Sequence, residues 1–123
     1  MANILVVDDD AQVRSLVKRL VGLHGHDVDT AEDGSQALEQ LQTKTYDLMI
    51  IDNIMPNISG TQAVDIIRTN SKYNDLKILM FSGASMTQTV DDAYAAGVNG
   101  FITKPFVADR LISKINGALG KTH

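Results

Sequence analysis

Five short apolar runs recur along this chain, and a segment with helical spacing of apolar residues follows each of them. The runs cover residues 4–7, 28–31, 48–51, 78–81 and 100–103, with the second weaker than the others. Runs of about four apolar residues without polar alternation are typical of strands buried on both faces of a parallel sheet. The pattern therefore predicts five strands of one parallel sheet.

The segments between the runs carry apolar stripes that are typical of amphipathic helices. The first predicted helix covers residues 11–23 and ends near Gly25. The later stripes are Ala37, Leu38 and Leu41; Ala63, Val64 and Ile67; Val90, Ala93 and Tyr94, closed by Gly97; and Leu111, Ile112, Ile115 and Leu119. Because crossovers between parallel strands are right-handed, five βα units in a row predict a doubly wound α/β sheet with helices on both faces.

The length of 123 residues is that of one domain, and we predict a single domain over residues 1–123. No apolar run approaches the roughly 20 residues that cross a bilayer, so we expect no membrane partner. The N-terminus lacks a signal peptide pattern, and the chain contains no cysteine. A cytoplasmic location is the expectation.

The charge distribution argues against nucleic-acid binding. The net charge is −4, and the 11 lysines and arginines are scattered along the chain. Binding to nucleic acid needs clustered basic residues that neutralise phosphates. We therefore expect no direct contact with DNA or RNA.

Polar side chains capable of phosphate chemistry stand where four of the predicted strands end. The acidic run at 8–10 follows the first strand, Asp52 the third, Ser82 the fourth and Lys104 the fifth. In an open parallel sheet, residues just beyond the carboxyl ends of the strands meet in one crevice. Carboxylates, a hydroxyl and a lysine in one crevice can hold a divalent cation and a phosphoryl group. We interpret them as one phosphoryl-transfer site.

Helix capping is the competing explanation for the acidic run. Asp10 stands where a helix begins, and an aspartate there accepts hydrogen bonds from free N–H groups and interacts favourably with the helix dipole. We assign Asp10 to capping. Capping does not explain three adjacent carboxylates, so Asp8 and Asp9 remain candidates for cation binding.

The segments VVDDD, DLMIIDNIMPNISG, FSGAS and FITKPF, in this order and at these separations, resemble the receiver domain of two-component response regulators. The resemblance runs from Ile4 to about Leu119, and CheY-like single-domain receivers are the nearest picture. It implies a flavodoxin-like (βα)5 fold with strand order 2-1-3-4-5. The crevice would then lie between the first and third strands.

The resemblance assigns the central roles to the acidic residues. Asp52 would be the nucleophile that becomes an aspartyl phosphate. Asp9 and Asp52 would bind Mg²⁺ directly, Asp8 mainly through water, and the backbone carbonyl of Ile54 would supply a further ligand.

The remaining site residues follow from the same resemblance. Lys104 would neutralise the phosphoryl oxygens, aimed inward by a cis bond to Pro105. Ser82 would donate its hydroxyl to a phosphoryl oxygen beside the Gly83 N–H. Ser82 and Phe101 would also form the conformational switch. From the sequence alone, Ser82 is equally well explained as a turn or N-cap serine. A strand phenylalanine such as Phe101 is more often a plain core residue, so its switch role rests on the resemblance.

The implied partners are a histidine kinase or phosphotransfer protein and a downstream target or output domain. Signalling would pass through the surface of the fourth helix, fifth strand and fifth helix, in a monomer or a phosphorylation-dependent dimer. The chain would be a phosphoacceptor rather than an enzyme, assisting only its own phosphorylation and dephosphorylation.

Departures from the family pattern are Asn53, Ile54 and Ala84, at positions that influence how water reaches the phosphoryl group.

Three other readings are possible. A haloacid-dehalogenase-like phosphatase shares the Asp8-x-Asp10 spacing, but its motif needs Thr or Val where this chain has Gln12. Flavodoxin needs a hydroxyl-rich phosphate loop after the first strand, where three carboxylates would repel the FMN phosphate. A receiver-like module that no longer uses phosphate has no support, because the key residues are all present.

Overall fold

The computed structural model describes residues 2–83 and 90–120, and within these residues five strands alternate with five α-helices. The elements are β1 (Asn3–Val7), α1 (Ala11–Gly22), β2 (Asp27–Ala31), α2 (Gly34–Thr43), β3 (Leu48–Asp52), α3 (Gly60–Arg68), a 3₁₀ turn (Ser71–Tyr73), β4 (Lys77–Ser82), α4 (Val90–Ala96), β5 (Gly100–Thr103) and α5 (Ala108–Ala118). The five predicted strands and five predicted helices are all confirmed. No helix in the described chain is long and apolar enough to cross a membrane.

The five strands form one parallel sheet in the order β2-β1-β3-β4-β5. This is the flavodoxin-like order that the family resemblance implied, so that prediction is confirmed. In the register of the sheet, Val7 lies opposite Ile51 and Asp52 lies opposite Phe81. Asp8 and Asp52 therefore leave neighbouring strands at the same edge.

A separate apolar core covers each face of the sheet. Leu5, Val7, Met49 and Ile51 point to one face, where they pack with residues of α2, α3 and α4. The alternate residues of the same strands point to the other face, where they pack with α1 and α5: Ile4, Val6, Leu48 and Ile50. Because helices cover both faces of the sheet, residues 4–7 of β1 and 48–51 of β3 all lie in apolar surroundings. This explains the uninterrupted apolar runs in the sequence.

The start of α1 confirms the capping role of Asp10. Its Oδ1 accepts hydrogen bonds from the N–H groups of Gln12 at 2.8 Å and Val13 at 3.4 Å. These bonds satisfy free donors of the first helical turn. The third carboxylate of the acidic run thus belongs to the helix, and the first two remain for the crevice.

Candidate phosphoryl-transfer site

Three carboxylates meet at the carboxyl ends of β1 and β3. Asp8 follows β1 and is fully buried, Asp9 is exposed, and Asp52 is the partly buried last residue of β3. One carboxylate oxygen from each residue lies within 4.8 Å of the others. Hard oxygen ligands at this spacing suit a divalent cation such as Mg²⁺. The cluster predicted from the sequence is therefore formed in the folded chain.

Asp8 is held in place from three directions. Its backbone N–H donates to the carbonyl of Ala31, and its Oδ1 accepts the Asp10 N–H at 2.9 Å. The guanidinium of Arg14 donates to the backbone carbonyl of Asp8 at 2.7 Å. This contact is not predictable from the sequence, where Arg14 is one of several polar residues of an amphipathic helix.

Lys104 supplies the positive charge of the site. Its Nζ lies 2.8 Å from Oδ2 of Asp8 and 3.4 Å from Oδ2 of Asp52. The Lys104–Pro105 peptide bond is cis, as the resemblance implied, and the backbone N–H of Lys104 donates to the carbonyl of Ser82. The lysine predicted for the site thus contacts two of the three clustered carboxylates.

Lys104 only partly neutralises the carboxylates that cluster at the site. Burial raises the pKa of Asp52, and the charge of Asp8 raises it further, while Lys104 only partly opposes both. Burial by itself would lower the pKa of the Lys104 ammonium, but its hydrogen bond to Asp8 and the charges of Asp52 and Asp8 raise it overall. A second cation would relieve the repulsion between the carboxylates.

Ser82 and Gly83 stand at the carboxyl end of β4, next to the crevice. Ser82 is the last residue of the strand and is partly buried, and Gly83 is exposed directly after it. Their positions agree with the sequence prediction, and their contacts with a phosphoryl group remain a prediction. Ala84 lies outside the described residues.

Phe101 lies in β5 at the border between the core and the surface. Its ring packs edge-on against Tyr94 of α4, with centroids 5.2 Å apart, and it also packs against the core beneath α4. The aromatic ring therefore links β5 to α4. Whether it moves on phosphorylation remains a prediction.

The two residues after Asp52 point in different directions. Ile54 is 71% exposed at the rim of the site. Asn53 is turned toward α3, where its Oδ1 accepts hydrogen bonds from the N–H and the hydroxyl of Thr61. From the sequence, Asn53 is predicted only to affect how water reaches the phosphoryl group, and its contact with α3 is not predicted. The known tendency of asparagine to bond nearby backbone N–H groups was the available signal.

The fold and the site together define a flavodoxin-like domain with an acidic, lysine-containing crevice at the carboxyl edge of its sheet. Residues 4–116 match the response regulator receiver domain, and the chain belongs to that family. The protein is therefore a CheY-like receiver domain of two-component signalling. Receiver domains bind Mg²⁺ through acidic residues, and the cluster of Asp8, Asp9 and Asp52 fits that chemistry.

Known proteins similar to this chain include both short and long ones. Chemotaxis protein CheY-3 of Vibrio cholerae is 34% identical over 93% of this chain and 88% of its own length. The CAI-1 autoinducer sensor kinase/phosphatase CqsS of the same species is 34% identical over 92% of this chain, which spans only 17% of that protein. The structure of chemotaxis response regulator CheY4 of Vibrio cholerae superposes with a TM-score of 0.91 at 31% identity, covering 96% of this chain and 98% of that one.

Proposed function

We propose that this protein is a phosphoacceptor switch in which Asp52 receives a phosphoryl group from a phosphohistidine. The donor is a histidine kinase or a phosphotransfer protein. The observation that carries the proposal is the position of Asp52 in a cluster with Asp8 and Asp9, with the Lys104 ammonium 3.4 Å away. A partly buried carboxylate with these neighbours is suited to covalent phosphate chemistry.

The transfer step makes one bond and breaks one. A carboxylate oxygen of Asp52 attacks the phosphorus in line, and the bond between phosphorus and the imidazole nitrogen breaks, leaving its electron pair on the nitrogen. Bound Mg²⁺ would neutralise charge on the phosphoryl oxygens. Asp8, Asp9, Asp52 and the carbonyl of Ile54 are the residues that would hold it.

Lys104, Ser82 and Gly83 would hold the transferred group. The Lys104 ammonium, which contacts Asp8 and Asp52 in the free protein, would pair with a phosphoryl oxygen. The Ser82 hydroxyl and the Gly83 N–H would donate to another. The protein thereby assists only the gain and loss of its own phosphoryl group.

The output would leave the molecule through α4, β5 and α5. The contact between Phe101 and Tyr94 links the end of the sheet that carries Lys104 to α4. A rearrangement there would change the surface offered to a downstream protein target or output domain, in a monomer or in a phosphorylation-dependent dimer. The cytoplasmic location stays a prediction, as does the single-domain organisation.

Phosphorylation by acetyl phosphate tests the acceptor assignment. We expect the wild-type protein to gain one hydroxylamine-sensitive phosphoryl group in the presence of Mg²⁺ and none when EDTA removes the metal, as read by intact mass. Asp52→Asn should gain none, because its amide oxygen is a poor nucleophile. Asp65→Asn, an exposed change on α3, is the control and should behave as wild type. A normal yield of the adduct in Asp52→Asn would overturn the assignment.

A further inference from the structure

Asn53, the residue after the proposed phosphoacceptor, is bonded to the start of α3. Its Oδ1 accepts the backbone N–H of Thr61 at 3.0 Å and the hydroxyl of Thr61 at 2.8 Å. Its backbone carbonyl accepts the N–H of Gly60 at 2.9 Å. Three hydrogen bonds therefore close the loop that leaves β3 at Asp52 and returns at α3.

The closed loop brings the start of α3 into direct contact with the end of β3. A Cβ on Gly60 would meet the backbone oxygen of Asp52 and the Cα of Asn53, so the first residue of α3 packs against the peptide that joins them. Ile54, whose carbonyl is a proposed cation ligand, lies inside this loop. The separation between that carbonyl and the Asp52 carboxylate thus depends on how the loop is closed.

The side-chain oxygen of Asn53 is fully used by Thr61. An amide oxygen has two lone pairs, and both face donors of α3. It is therefore not free to bind a cation or to hold a water molecule at the phosphoryl group. The influence of this oxygen on the site therefore acts through the backbone.

The bond from the Thr61 hydroxyl is not part of the N-terminal cap of α3. Ser59 already caps the helix, since its hydroxyl accepts the Gln62 N–H at 3.1 Å and the Gln62 side chain accepts the Ser59 N–H at 2.8 Å. This reciprocal pair is a complete capping box. The hydroxyl of Thr61 adds a further bond that serves the loop rather than the helix.

We propose that Asn53 and Thr61 are a positioning pair, which holds Asp52 and the Ile54 carbonyl at the spacing that cation-dependent phosphorylation requires. This inference rests on the proposed function. Residues that orient metal ligands without touching the metal commonly change metal affinity by about ten-fold or more when they are replaced. The pair would act by placing these ligands and not by binding the phosphoryl group or the cation itself.

Three variants separate positioning from general stability. Thr61→Val keeps the shape and the backbone N–H but removes the hydroxyl donor, whereas Thr61→Ser keeps the donor. Asn53→Ala removes the acceptor of both bonds. The rate of phosphorylation by acetyl phosphate is measured against Mg²⁺ concentration, and the free energy of unfolding is measured by urea without Mg²⁺.

We expect the Mg²⁺ concentration at half-maximal rate to rise about three-fold in Thr61→Val and about ten-fold in Asn53→Ala. Thr61→Ser should return it to within about two-fold of wild type. A role in stability alone would lower the free energy of unfolding and leave the Mg²⁺ dependence unchanged.

Two results overturn the positioning role while leaving Asp52 as the acceptor. One is an unchanged Mg²⁺ dependence in folded Thr61→Val and Asn53→Ala, and the other is a Thr61→Ser variant as impaired as Thr61→Val. If Asn53→Ala fails to fold, Thr61→Val decides, because it loses only one bond. A wild-type protein that takes up no phosphoryl group under any Mg²⁺ concentration overturns both this inference and the proposed function.

Discussion

Asp8 is a fully buried carboxylate, and each of its oxygens has a partner. Oδ1 accepts the Asp10 N–H, and Oδ2 lies 2.8 Å from the Lys104 ammonium. Burial of a charge is costly unless it is paired and hydrogen-bonded. Lys104 therefore has a structural effect in the free protein in addition to its proposed contact with phosphate.

Replacing Lys104 should destabilise the metal-free protein. Lys104→Ala leaves the buried Asp8 carboxylate beside Asp52 without its cation, and we expect the free energy of unfolding to fall by about 2 kcal/mol. Saturating Mg²⁺ should recover most of this loss, because the divalent cation replaces the missing charge. Urea unfolding with and without Mg²⁺ measures both values.

The control for this experiment is Lys114→Ala, which removes an exposed lysine of α5. It should leave the free energy of unfolding close to that of wild type under both conditions. A loss in Lys104→Ala that is equally large with and without Mg²⁺ would contradict the shared-charge explanation.

At the scale of elements, the junction of β3 and α3 is closely packed, with helix backbone directly against strand backbone. Gly60 begins α3 with its Cα against the Asp52 and Asn53 backbone, and a side chain has no room there. Gly117, near the end of α5, has nothing within 4 Å of the place where a Cβ would stand. Gly60 and Gly117 are both helical, but only Gly60 lacks room for a side chain, so they can be compared directly.

Alanine at these two positions should have opposite effects. Gly60→Ala forces backbone apart at the phosphoacceptor, and we expect a loss of about 2 kcal/mol in the free energy of unfolding. Gly117→Ala should gain about 0.5 kcal/mol, because alanine lowers the entropy of the unfolded chain and favours the helix. Chemical unfolding measures both, and a Gly60→Ala protein as stable as wild type would show that the junction can open without cost.

At the scale of the whole molecule, ion pairs and hydrogen bonds connect the edge strand to the rest of the sheet. Asp29 of β2 accepts hydrogen bonds from the Tyr46 hydroxyl at 2.6 Å and from Lys44 at 2.9 Å, both in the segment before β3. The pKa of Asp29 lies below its ordinary value of 3.8. The largest cause is the hydrogen bond from Tyr46, and the next is the hydrogen bond from Lys44. Stability linked to a lowered carboxylate pKa is present above the unfolded pKa and lost as the pH falls through the folded one.

The stability of the domain should therefore depend on Asp29 at neutral but not at low pH. Asp29→Asn should reduce the free energy of unfolding at pH 7 by about 0.5 kcal/mol, a small value because the Asp29 side chain is 41% exposed. The difference from wild type should shrink as the pH falls below about 4. Asp27→Asn, an exposed change in the same strand, is the control. A difference that stays constant between pH 7 and pH 3 would contradict the linkage.

The sequence by itself determined the elements and which polar residues stand at the carboxyl ends of the strands. Uninterrupted apolar runs specify strands buried on both faces, because each alternate residue needs an apolar neighbour on its own side. The position of Asp52 at the end of such a run places it at the edge of the sheet, and Asp10 caps α1 through bonds to residues two and three positions away. Such local relations depend on spacing along the chain, which the sequence states directly.

Only the tertiary structure decided which side chains meet and which way they point. Asp8 and Lys104 are 96 positions apart, and their 2.8 Å contact depends on the packing of the whole sheet. The side chain of Asn53 could face the crevice, the solvent or α3, and the residues next to it in sequence do not determine which. The close packing of Gly60 against the Asp52 backbone brings Thr61 to the amide. Packing between elements decides which side chains contact each other. A local sequence pattern does not contain the energies of those contacts.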